Sequence, residues 1–386
     1  MRVLLVAPYP PARDGIATYA AQAAADLRRR GEHVEVVSPE PSAARHHAEL
    51  GRARGVARLL ALSRRADRTV VHFYPDLFFR GRRRVRFVLH WPWVAAALAI
   101  GRNVELVVHE APYRDLRRAR GVRGWVARAL WRGLVTAPTA TYVHTEWERQ
   151  EMAASLSLEP NRVRLLEHNR AFVKRSRLGR SEARRELGLE EGELCFLCIG
   201  FLQRHKGFDR ALQAFARIPG GHLRLDVVGS VRMAAPEVQH YLAELRALVR
   251  ATPRARLHEG YVSDHGFDSW LSACDVVVLP YREIWSSGVL ARAQLFGRRV
   301  IVSDVGGLPD QAGPLAIVVH DDEELYRAMA EVAGVAPEGR VDERWKPERP
   351  AVEVPSEAIA QTVRDSVPNG RRPIPARRRR RSQGLT

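Results

Sequence analysis

The 386-residue sequence has little cysteine, little lysine and no long apolar run, and each shortage narrows the possible protein classes. Its three cysteines are too few for a disulfide framework, which favours a reducing compartment. Cys195 and Cys198 lie in the apolar segment ELCFLCIG, and Cys274 stands alone. A zinc site would need a second pair of Cys or His ligands at suitable spacing, and no such cluster follows. We therefore expect the CxxC pair to lie in a hydrophobic core, with no metal bound.

No apolar segment reaches the length of roughly 20 residues that a membrane-spanning helix needs. The stretch from Phe87 to Ile100 is shorter and contains His90 and Pro92. The N-terminus, MRVLLVAPYP, lacks the apolar stretch and cleavage site of a signal peptide and has the pattern of a buried strand. We expect a cytoplasmic protein, either free or peripheral at the inner face of the cell membrane.

The sequence is rich in β-branched runs that alternate with Ala/Arg/Leu segments of helical period, which is typical of parallel sheets built from βαβ units. The first series reads RVLLVAP, HVEVVSP, TVVHFYP, VELVVHE, ATYVHTE and RVRLLEH. A second series reads ELCFLCIG, HLRLDVVG, ARLHEGYV, DVVVLP, RVIVSDVG and LAIVVH. With 46% hydrophobic residues the chain can bury a sizeable core, which excludes a disordered or fibrous protein. The pattern predicts an α/β protein with two Rossmann-like, doubly wound parallel-sheet domains.

A polar, charged segment from Arg170 to Gly192 separates the two series and is typical of a linker followed by a helix. We therefore expect an N-terminal domain over residues 1–170 and a C-terminal domain over 171–340. A helical segment is expected over 341–368. Residues 369–386 are rich in arginine and lack apolar periodicity, which predicts a disordered tail.

Two segments that follow predicted strands contain a helix start where a ligand could bind. In PYPPARDGIATY, Gly15 opens a helix, although an ordinary turn and helix cap would give the same pattern. In GFLQRHKGFDRALQAF, Lys206 stands at a helix start. The chain has only three lysines and otherwise uses arginine as its cation, so solubility does not explain this lysine. A mobile ammonium beside helix-end amides suits a diphosphate.

Two further segments form corresponding turns in the second series. Ser286, Ser287 and Gly288 open a helix after DVVVLP, and their amides and hydroxyls predict an anion cradle that shares one diphosphate with Lys206. In RVIVSDVGGLPDQ, paired glycines form the turn and Asp310 begins the next helix. Each segment alone is weakly specific, but four at corresponding strand ends favour a ligand cleft between the domains.

These motifs, in this order, resemble a known family. The runs KGFDRALQAF, GYVSD, ACDVVVLPYR and SGVLARAQLFGRRVIVSDVGGLPD are similar to those of nucleotide-sugar-dependent glycosyltransferases of the GT-B fold, family 4 type. The N-terminal APYPPARDGIA and RGEHVEVVSP resemble the opening of the same family, so the resemblance covers roughly residues 2 to 320. It implies the GT-B architecture, in which two Rossmann-like domains face a central cleft.

The resemblance implies a retaining transfer of a sugar from a nucleoside diphosphate donor, held mainly by the C-terminal half, to a glycan, lipid-linked or small-molecule acceptor. The nucleotide sugar would be a substrate, with no cofactor and no metal. His109 matches the histidine that faces the sugar and is the candidate catalytic residue, and a structural histidine at a strand end is the alternative interpretation. Lys206 would neutralise the diphosphate. The other implied donor-binding positions are Gly15, Arg204, Glu283, Ser286, Ser287, Gly288, Val289, Gly306, Gly307 and Asp310.

The sequence also departs from the family at its carboxylates. The family carries two glutamates eight residues apart around the SGVL loop, and the aligned residues here are Ile284 and Arg292. Glu283 lies one place early and would substitute for the first glutamate only if the loop shifts. The usual arginine before the lysine is replaced by Phe201, with Arg204 close enough to serve. The alternative to an active enzyme is therefore a catalytically silent GT-B protein that binds a sugar nucleotide or a polyanion.

The net charge of +18 indicates an anionic partner. Arg80, Arg82, Arg83, Arg84 and Arg86 precede the aromatic segment FVLHWPWVAAALAI in the acceptor half, a combination that favours an anionic membrane surface. A solvated charged face is the other interpretation. The Arg-rich tail would attract nucleic acid, but no zinc finger, RRM or helix-turn-helix motif accompanies it, so we expect no specific nucleic-acid partner.

Overall fold

The computed structural model describes residues 1–79, 84–168, 172–231, 235–313 and 316–335. The domain boundary near residue 170 stays a prediction, because residues 169–171 lie outside this set. The predicted helical segment over 341–368 and the tail over 369–386 also lie outside it. Residues 1–337 form one compact unit that contains both sheets.

The first sheet, as far as the structure describes it, has seven strands in the order β3-β2-β1-β4-β5-β6-β7. All of its pairings are parallel. The strands are β1 (Arg2–Val6), β2 (His33–Ser38), β3 (His46–His47), β4 (Arg68–Phe73), β5 (Val104–Val108), β6 (Ala140–Val143) and β7 (Val163–Leu165). The sequence predicted all of these strands except the two-residue β3.

The helices of this half connect successive strands. They are α1 (Gly15–Arg29), α2 (Ala53–Ser63), α3 (Pro75–Phe79), α4 (Arg84–Ile100), α5 (Tyr113–Arg118), α6 (Gly121–Thr136) and α7 (Glu146–Leu156). The side chain of Asp14 caps α1 by accepting hydrogen bonds from Ile16 N at 2.6 Å and Ala17 N at 3.3 Å. This cap fixes the start of the helix at Gly15, as the sequence predicted.

The second sheet has six described strands in the order β10-β9-β8-β11-β12-β13, again all parallel. They are β8 (Leu194–Ile199), β9 (Leu223–Gly229), β10 (Ala255–Glu259), β11 (Val276–Leu279), β12 (Arg299–Ser303) and β13 (Ala316–Val319). The helices are α8 (Arg180–Leu187), α9 (Phe208–Ala216), α10 (Pro236–Ala251), α11 (Asp264–Ala273), α12 (Gly288–Leu295), α13 (Leu308–Gln311) and α14 (Asp322–Val332). Each strand run predicted for this half contains a strand.

Both faces of each sheet are covered, which explains why central strands such as β1, β8 and β11 are apolar at nearly every position. In β1, Leu4 and Val6 belong to one core cluster, whereas Val3 and Leu5 belong to the cluster on the opposite face. The expected core role of the CxxC pair is confirmed, because the side chains of Cys195 and Cys198 on β8 are fully buried. The prediction of two doubly wound parallel-sheet domains is therefore confirmed.

Candidate functional site in the cleft between the two sheets

The candidate site lies where the carboxyl ends of the two sheets meet. Asp310 of α13 accepts a hydrogen bond from Trp147 N of α7 at 2.5 Å. The Trp285 ring, from the loop before α12, packs edge-on against Tyr113, with ring centroids 4.8 Å apart. Residues of the first and second domains therefore contact each other directly at this edge.

The paired glycines after β12, Gly306 and Gly307, allow the two domains to pack closely at this edge. Gly306 has a φ of +57°, and a Cβ there would lie 1.8 Å from the carbonyl oxygen of Ile284. A Cβ at Gly307 would lie 2.4 Å from Thr145 Oγ1 at the start of α7. The two glycines are thus required by close packing of the turn against the neighbouring loop and the first domain.

Lys206 lies in a 3₁₀ turn (Arg204–Lys206) after β8. Its Nζ is 4.0 Å from the centroid of the Tyr281 ring, a cation–π contact. Burial lowers the pKa of Lys206 to about 8, and the charge of Glu110 from the first domain acts in the opposite direction. The ammonium is therefore charged at neutral pH and only partly solvated, which strengthens its attraction for an anion.

The two serine side chains in the loop before α12 are used in hydrogen bonds within the protein. The Ser287 hydroxyl caps α12 by accepting from Leu290 N at 3.2 Å, and Gln311 bonds to both the N and the O of Ser287. The Ser286 side chain hydrogen-bonds to Glu148 of the first domain. Gly288 begins α12, which has no acidic residue in its first turn. The N-terminus of α12 therefore supplies positive potential rather than free hydroxyls.

The remaining predicted positions differ in their surroundings. Arg204 forms an ion pair with Glu244 and lies over the Tyr241 ring, so its guanidinium is engaged by α10. Glu283 is exposed. A Cβ at Gly15 would meet no atom within 4 Å, so the start of α1 is open to a ligand. Val289 Cγ2 lies 3.8 Å from the Cβ position of Gly200 at the end of β8.

Four histidines lie side by side at the ends of four neighbouring strands, β4 to β7. His72, His109, His144 and His168 all pack against the Tyr19 ring of α1, with ring centroids 5.2 to 5.8 Å from it. His72 Nδ1 and His109 Nε2 are 2.9 Å apart, and the rings of His144 and His168 stack at 4.1 Å. We call these four residues the histidine layer. His168 Nε2 lies 3.9 Å from the Cβ position of Gly288, so the layer reaches the start of α12.

Burial keeps the histidine layer uncharged. It lowers the pKa of His72 to about 3 and that of His144 to about 4, and it holds the pKa values of His109 and His168 well below the ordinary value. The mutual repulsion of imidazolium charges adds to this effect. In the described ranges no three His, Cys, Asp or Glu side chains are arranged to hold a metal ion.

Sequence reasoning selected His109 and missed its three neighbours. The signal was visible, because each of the runs TVVHFYP, VELVVHE, ATYVHTE and RVRLLEH has a histidine among its last four residues. Parallel strands bring such residues to one edge. Sequence reasoning also missed Glu148. Its carboxylate caps the start of α7, the helix to which Glu148 itself belongs. Burial raises the pKa of this carboxyl group to about 7.

Arg292, which stands where the family has its second glutamate, is buried in the second domain. Its guanidinium donates to Asp264 Oδ1 at 3.2 Å and to Asp268 Oδ1, and it lies 4.1 Å from the Phe267 ring centroid. Asp268 also accepts from Ser176 N at 3.2 Å. Arg292 therefore joins α12 to α11, and Asp268 joins α11 to the segment between the sheets.

The comparisons with known proteins agree with this architecture. Residues 193–334 match the family model of Glycosyl transferases group 1. The D-inositol 3-phosphate glycosyltransferase of Mycobacterium ulcerans is 28% identical over 260 residues, which are 64% of this chain and 51% of that protein. The GDP-mannose:glycolipid 4-beta-D-mannosyltransferase of Xanthomonas campestris is 27% identical over 149 residues, 37% of this chain and 41% of that protein. The chain thus spans between 30% and 51% of the length of the curated relatives it matches.

Among solved structures, HepE of Anabaena in complex with UDP and glucose superposes with a TM-score of 0.61 at 15% identity, covering 86% of this chain and 90% of that one. This likeness shows the fold, which is GT-B. The resemblance to group 1 glycosyltransferases of the GT-B fold that the sequence predicted is confirmed.

The histidine layer predicts how stability depends on pH. Since the folded rings stay neutral while the unfolded chain binds protons below about pH 6.5, stability should fall as pH drops from 6.5 to 5, by up to about 1.4 kcal/mol per pH unit for each histidine. Glu148 opposes this, because its raised pKa makes the folded state hold nearly one proton more than the unfolded chain over the same range. Urea unfolding at several pH values measures the net slope.

His144→Gln removes one of the titrating groups and should make that slope shallower by about one proton. His240→Gln, at an exposed position of α10, is the matched control and should leave the slope unchanged. Equal slopes in wild type and His144→Gln would contradict a neutral buried layer.

Arg292→Met should destabilise the protein by about 3–5 kcal/mol, because it leaves the buried Asp268 carboxylate without its ionic partner. The exposed pair Arg246–Glu259, with an N···O distance of 2.7 Å, provides the control. Arg246→Met should cost no more than about 1 kcal/mol. Denaturant midpoints compare the two variants, and similar small losses would show that Arg292 is not a structural cation.

Proposed function

We propose that this chain transfers a sugar from a nucleoside diphosphate sugar to an acceptor, with retention of configuration at the transferred carbon. The observation that carries the proposal is the pairing of a partly desolvated Lys206 and the N-terminus of α12 on one side of the cleft with the neutral histidine layer on the other. The group 1 family match over residues 193–334 and the named relatives support the same reaction class.

The second domain would hold the donor. The leaving diphosphate gains negative charge as the glycosidic bond to it breaks, and a fixed cation and a helix N-terminus stabilise charge at that point. Lys206 supplies the cation, so the reaction needs no metal. The nucleotide sugar is consumed in the reaction and is therefore a substrate and not a cofactor. His109 faces the donor from the first domain as a neutral hydrogen-bonding group for the sugar.

The acceptor would bind in the first domain. The relatives' names describe action on D-inositol 3-phosphate and on a glycolipid, and one structural neighbour was solved with UDP and glucose. From these we take a hydroxyl-bearing, phosphorylated or lipid-linked acceptor as the class to test first. UDP and GDP are the nucleotides to test, because both occur in the names of similar proteins.

Lys206→Met tests the diphosphate site. A hydrogen bond to a charged group contributes about 1.5–3 kcal/mol, so UDP or GDP should bind roughly ten- to a hundredfold more weakly by calorimetry. Lys174→Met is the matched control, since Lys174 also lies over an aromatic ring, Phe296, at 4.8 Å but outside the cleft loops. Equal nucleotide affinities in the two variants would refute the assignment of Lys206.

Arg292 favours a second candidate function, binding of a sugar nucleotide without transfer. The family's carboxylate is replaced by a guanidinium that is committed to Asp264 and Asp268. Assays of transfer and donor hydrolysis over a panel of UDP- and GDP-sugars separate the two functions. Nucleotide binding with no turnover of any donor would favour the silent protein.

A surface of the first domain supports an anionic membrane as the partner. Residues 80–83 of the predicted arginine patch lie outside the described residues, but the helix after them and its neighbour α6 expose large apolar side chains. Trp93 is 59% exposed and Trp125 is 66% exposed. Leu89, Ile100, Val122 and Val126 are exposed on the same two helices, and we call these six residues the α4/α6 surface.

The chemistry of the α4/α6 surface fits a lipid interface. Exposed tryptophan and aliphatic side chains bury apolar area at the headgroup boundary. Residues 112–136 contain seven arginines and a single acid, Asp115, so the border of the surface is strongly basic. Anionic lipid attracts such residues by about 1 kcal/mol for each cation near the membrane. No helix of the described residues is both long and apolar enough to cross the bilayer itself.

Co-sedimentation with vesicles of phosphatidylglycerol and phosphatidylcholine tests this partner. Each tryptophan that buries about 100 Å² contributes about 2.5 kcal/mol, so the double variant Trp93→Ser with Trp125→Ser should weaken binding by about a thousandfold or more. Binding should also fall with added salt. Val318→Ser, at an exposed apolar position of the second domain, is the control, and truncation after Val367 removes the Arg-rich tail. Loss of binding on truncation alone would make the tail, and not the α4/α6 surface, the contact.

A further inference from the structure

His72 is the most deeply buried member of the histidine layer, and its ring nitrogen lies within hydrogen-bond distance of the candidate catalytic residue. Its side chain is 2% exposed, and its Nδ1 lies 2.9 Å from His109 Nε2. Its other ring nitrogen, Nε2, is buried and has no hydrogen-bond partner. Tyr19 covers both rings, at centroid distances of 5.3 Å from each. The pair is thus shielded from solvent on this side.

The unpartnered Nε2 of His72 determines which of the two rings donates the hydrogen bond between His72 and His109. A buried N–H without an acceptor is rarer and more costly than an acceptor without a donor. The neutral His72 ring therefore carries its proton on Nδ1 and donates it to His109 Nε2. Since a neutral imidazole has one donor and one acceptor nitrogen, His109 then carries its own proton on Nδ1.

His109 Nδ1 is the atom left for a ligand. The His109 side chain is only partly buried, and its Nδ1 is not among the buried, unpartnered atoms of the described residues. His144 and His168, by comparison, each have a ring nitrogen sealed in the layer without a partner. The ring of His109 thus has one nitrogen held from within the layer and one that is not sealed in it.

We propose that His72 is a positioning residue that fixes the tautomer and orientation of His109, so that His109 Nδ1–H points into the cleft as a hydrogen-bond donor to an oxygen of the sugar or acceptor. The part that concerns sugar transfer rests on the proposed function. The part that concerns the tautomer does not depend on it. His109 acts in this arrangement as a donor and not as a general base.

The tautomer of His109 can be measured directly by NMR spectroscopy. In protein labelled with ¹⁵N-histidine, a long-range ¹H–¹⁵N spectrum shows which ring nitrogen carries the proton, and the signals of His109 are assigned by their loss in His109→Asn. The wild type should show His109 protonated on Nδ1. His72→Leu should move His109 towards the other tautomer, whereas His72→Asn, whose amide can donate from the position of Nδ1, should keep the wild-type tautomer. His144→Leu is the control and should not change it.

The kinetic test separates positioning from simple structural damage. His72→Leu should lower kcat for transfer by about ten- to a hundredfold, the range found when the hydrogen-bond partner that orients a metal-bound histidine is removed. UDP or GDP affinity and the donor KM should stay unchanged, and His72→Asn should recover most of kcat.

Three results would overturn the proposal. The first is a wild-type His109 with its proton on Nε2, a result that decides the question even if His72→Leu fails to fold. The second is an unchanged tautomer in a folded His72→Leu, and the third is an unchanged kcat in that variant. If the wild type turns over no donor at all, the proposed function fails while the tautomer experiment still tests His72.

Discussion

The parallel direction of every described strand pairing is the constraint on which the rest of this structure depends. In a parallel sheet all carboxyl ends lie at one edge, and the loops that leave them meet there. In the first sheet this brings together four histidines that are far apart in sequence. In the second sheet it brings together Lys206, the start of α12 and the glycine turn before α13. The candidate site exists because the two edges face each other.

Some contacts across that cleft are made by polar groups that form hydrogen bonds with the opposite domain. Gln22 of α1 is fully buried, and its amide donates to Asp264 of α11 at 3.4 Å while accepting from Val173 N at 3.0 Å. Asp264 in turn holds Arg292. A buried amide or guanidinium is costly unless it has partners, so this network favours one arrangement of α1, α11 and the intervening segment.

Much of the fold could be predicted from the sequence because the parallel strands are buried on both faces and therefore appear as continuous apolar runs. Of the described strands, the two-residue β3 is the one that the sequence did not predict. The loop residues at strand ends could be selected as well, since Lys206 is chemically unusual in a chain that otherwise uses arginine.

The side-chain partnerships could not be predicted in the same way. Arg184 is fully buried, with bonds to Ala273 O at 3.0 Å and Asp275 Oδ2 at 2.7 Å, yet nothing local distinguishes it from Arg185 beside it, which lies at the surface. Ser287 and Ser286 look alike in sequence, but one caps its own helix and the other bonds to Glu148. Such choices depend on residues that are distant in the chain and meet only in the folded protein.

The distribution of charge across the cleft favours one orientation of the proposed nucleotide-sugar donor. If the histidine layer were charged, four cations in the first domain would compete with Lys206 for the diphosphate. Burial prevents this, because it keeps the imidazoles neutral while they retain their capacity to hydrogen-bond. The cation of the cleft then lies on the side of the second domain, and the opposite wall offers neutral nitrogens to uncharged hydroxyls. A nucleotide sugar would therefore bind with its phosphates towards Lys206 and α12 and with its sugar towards His109, the orientation that brings the sugar towards an acceptor in the first domain.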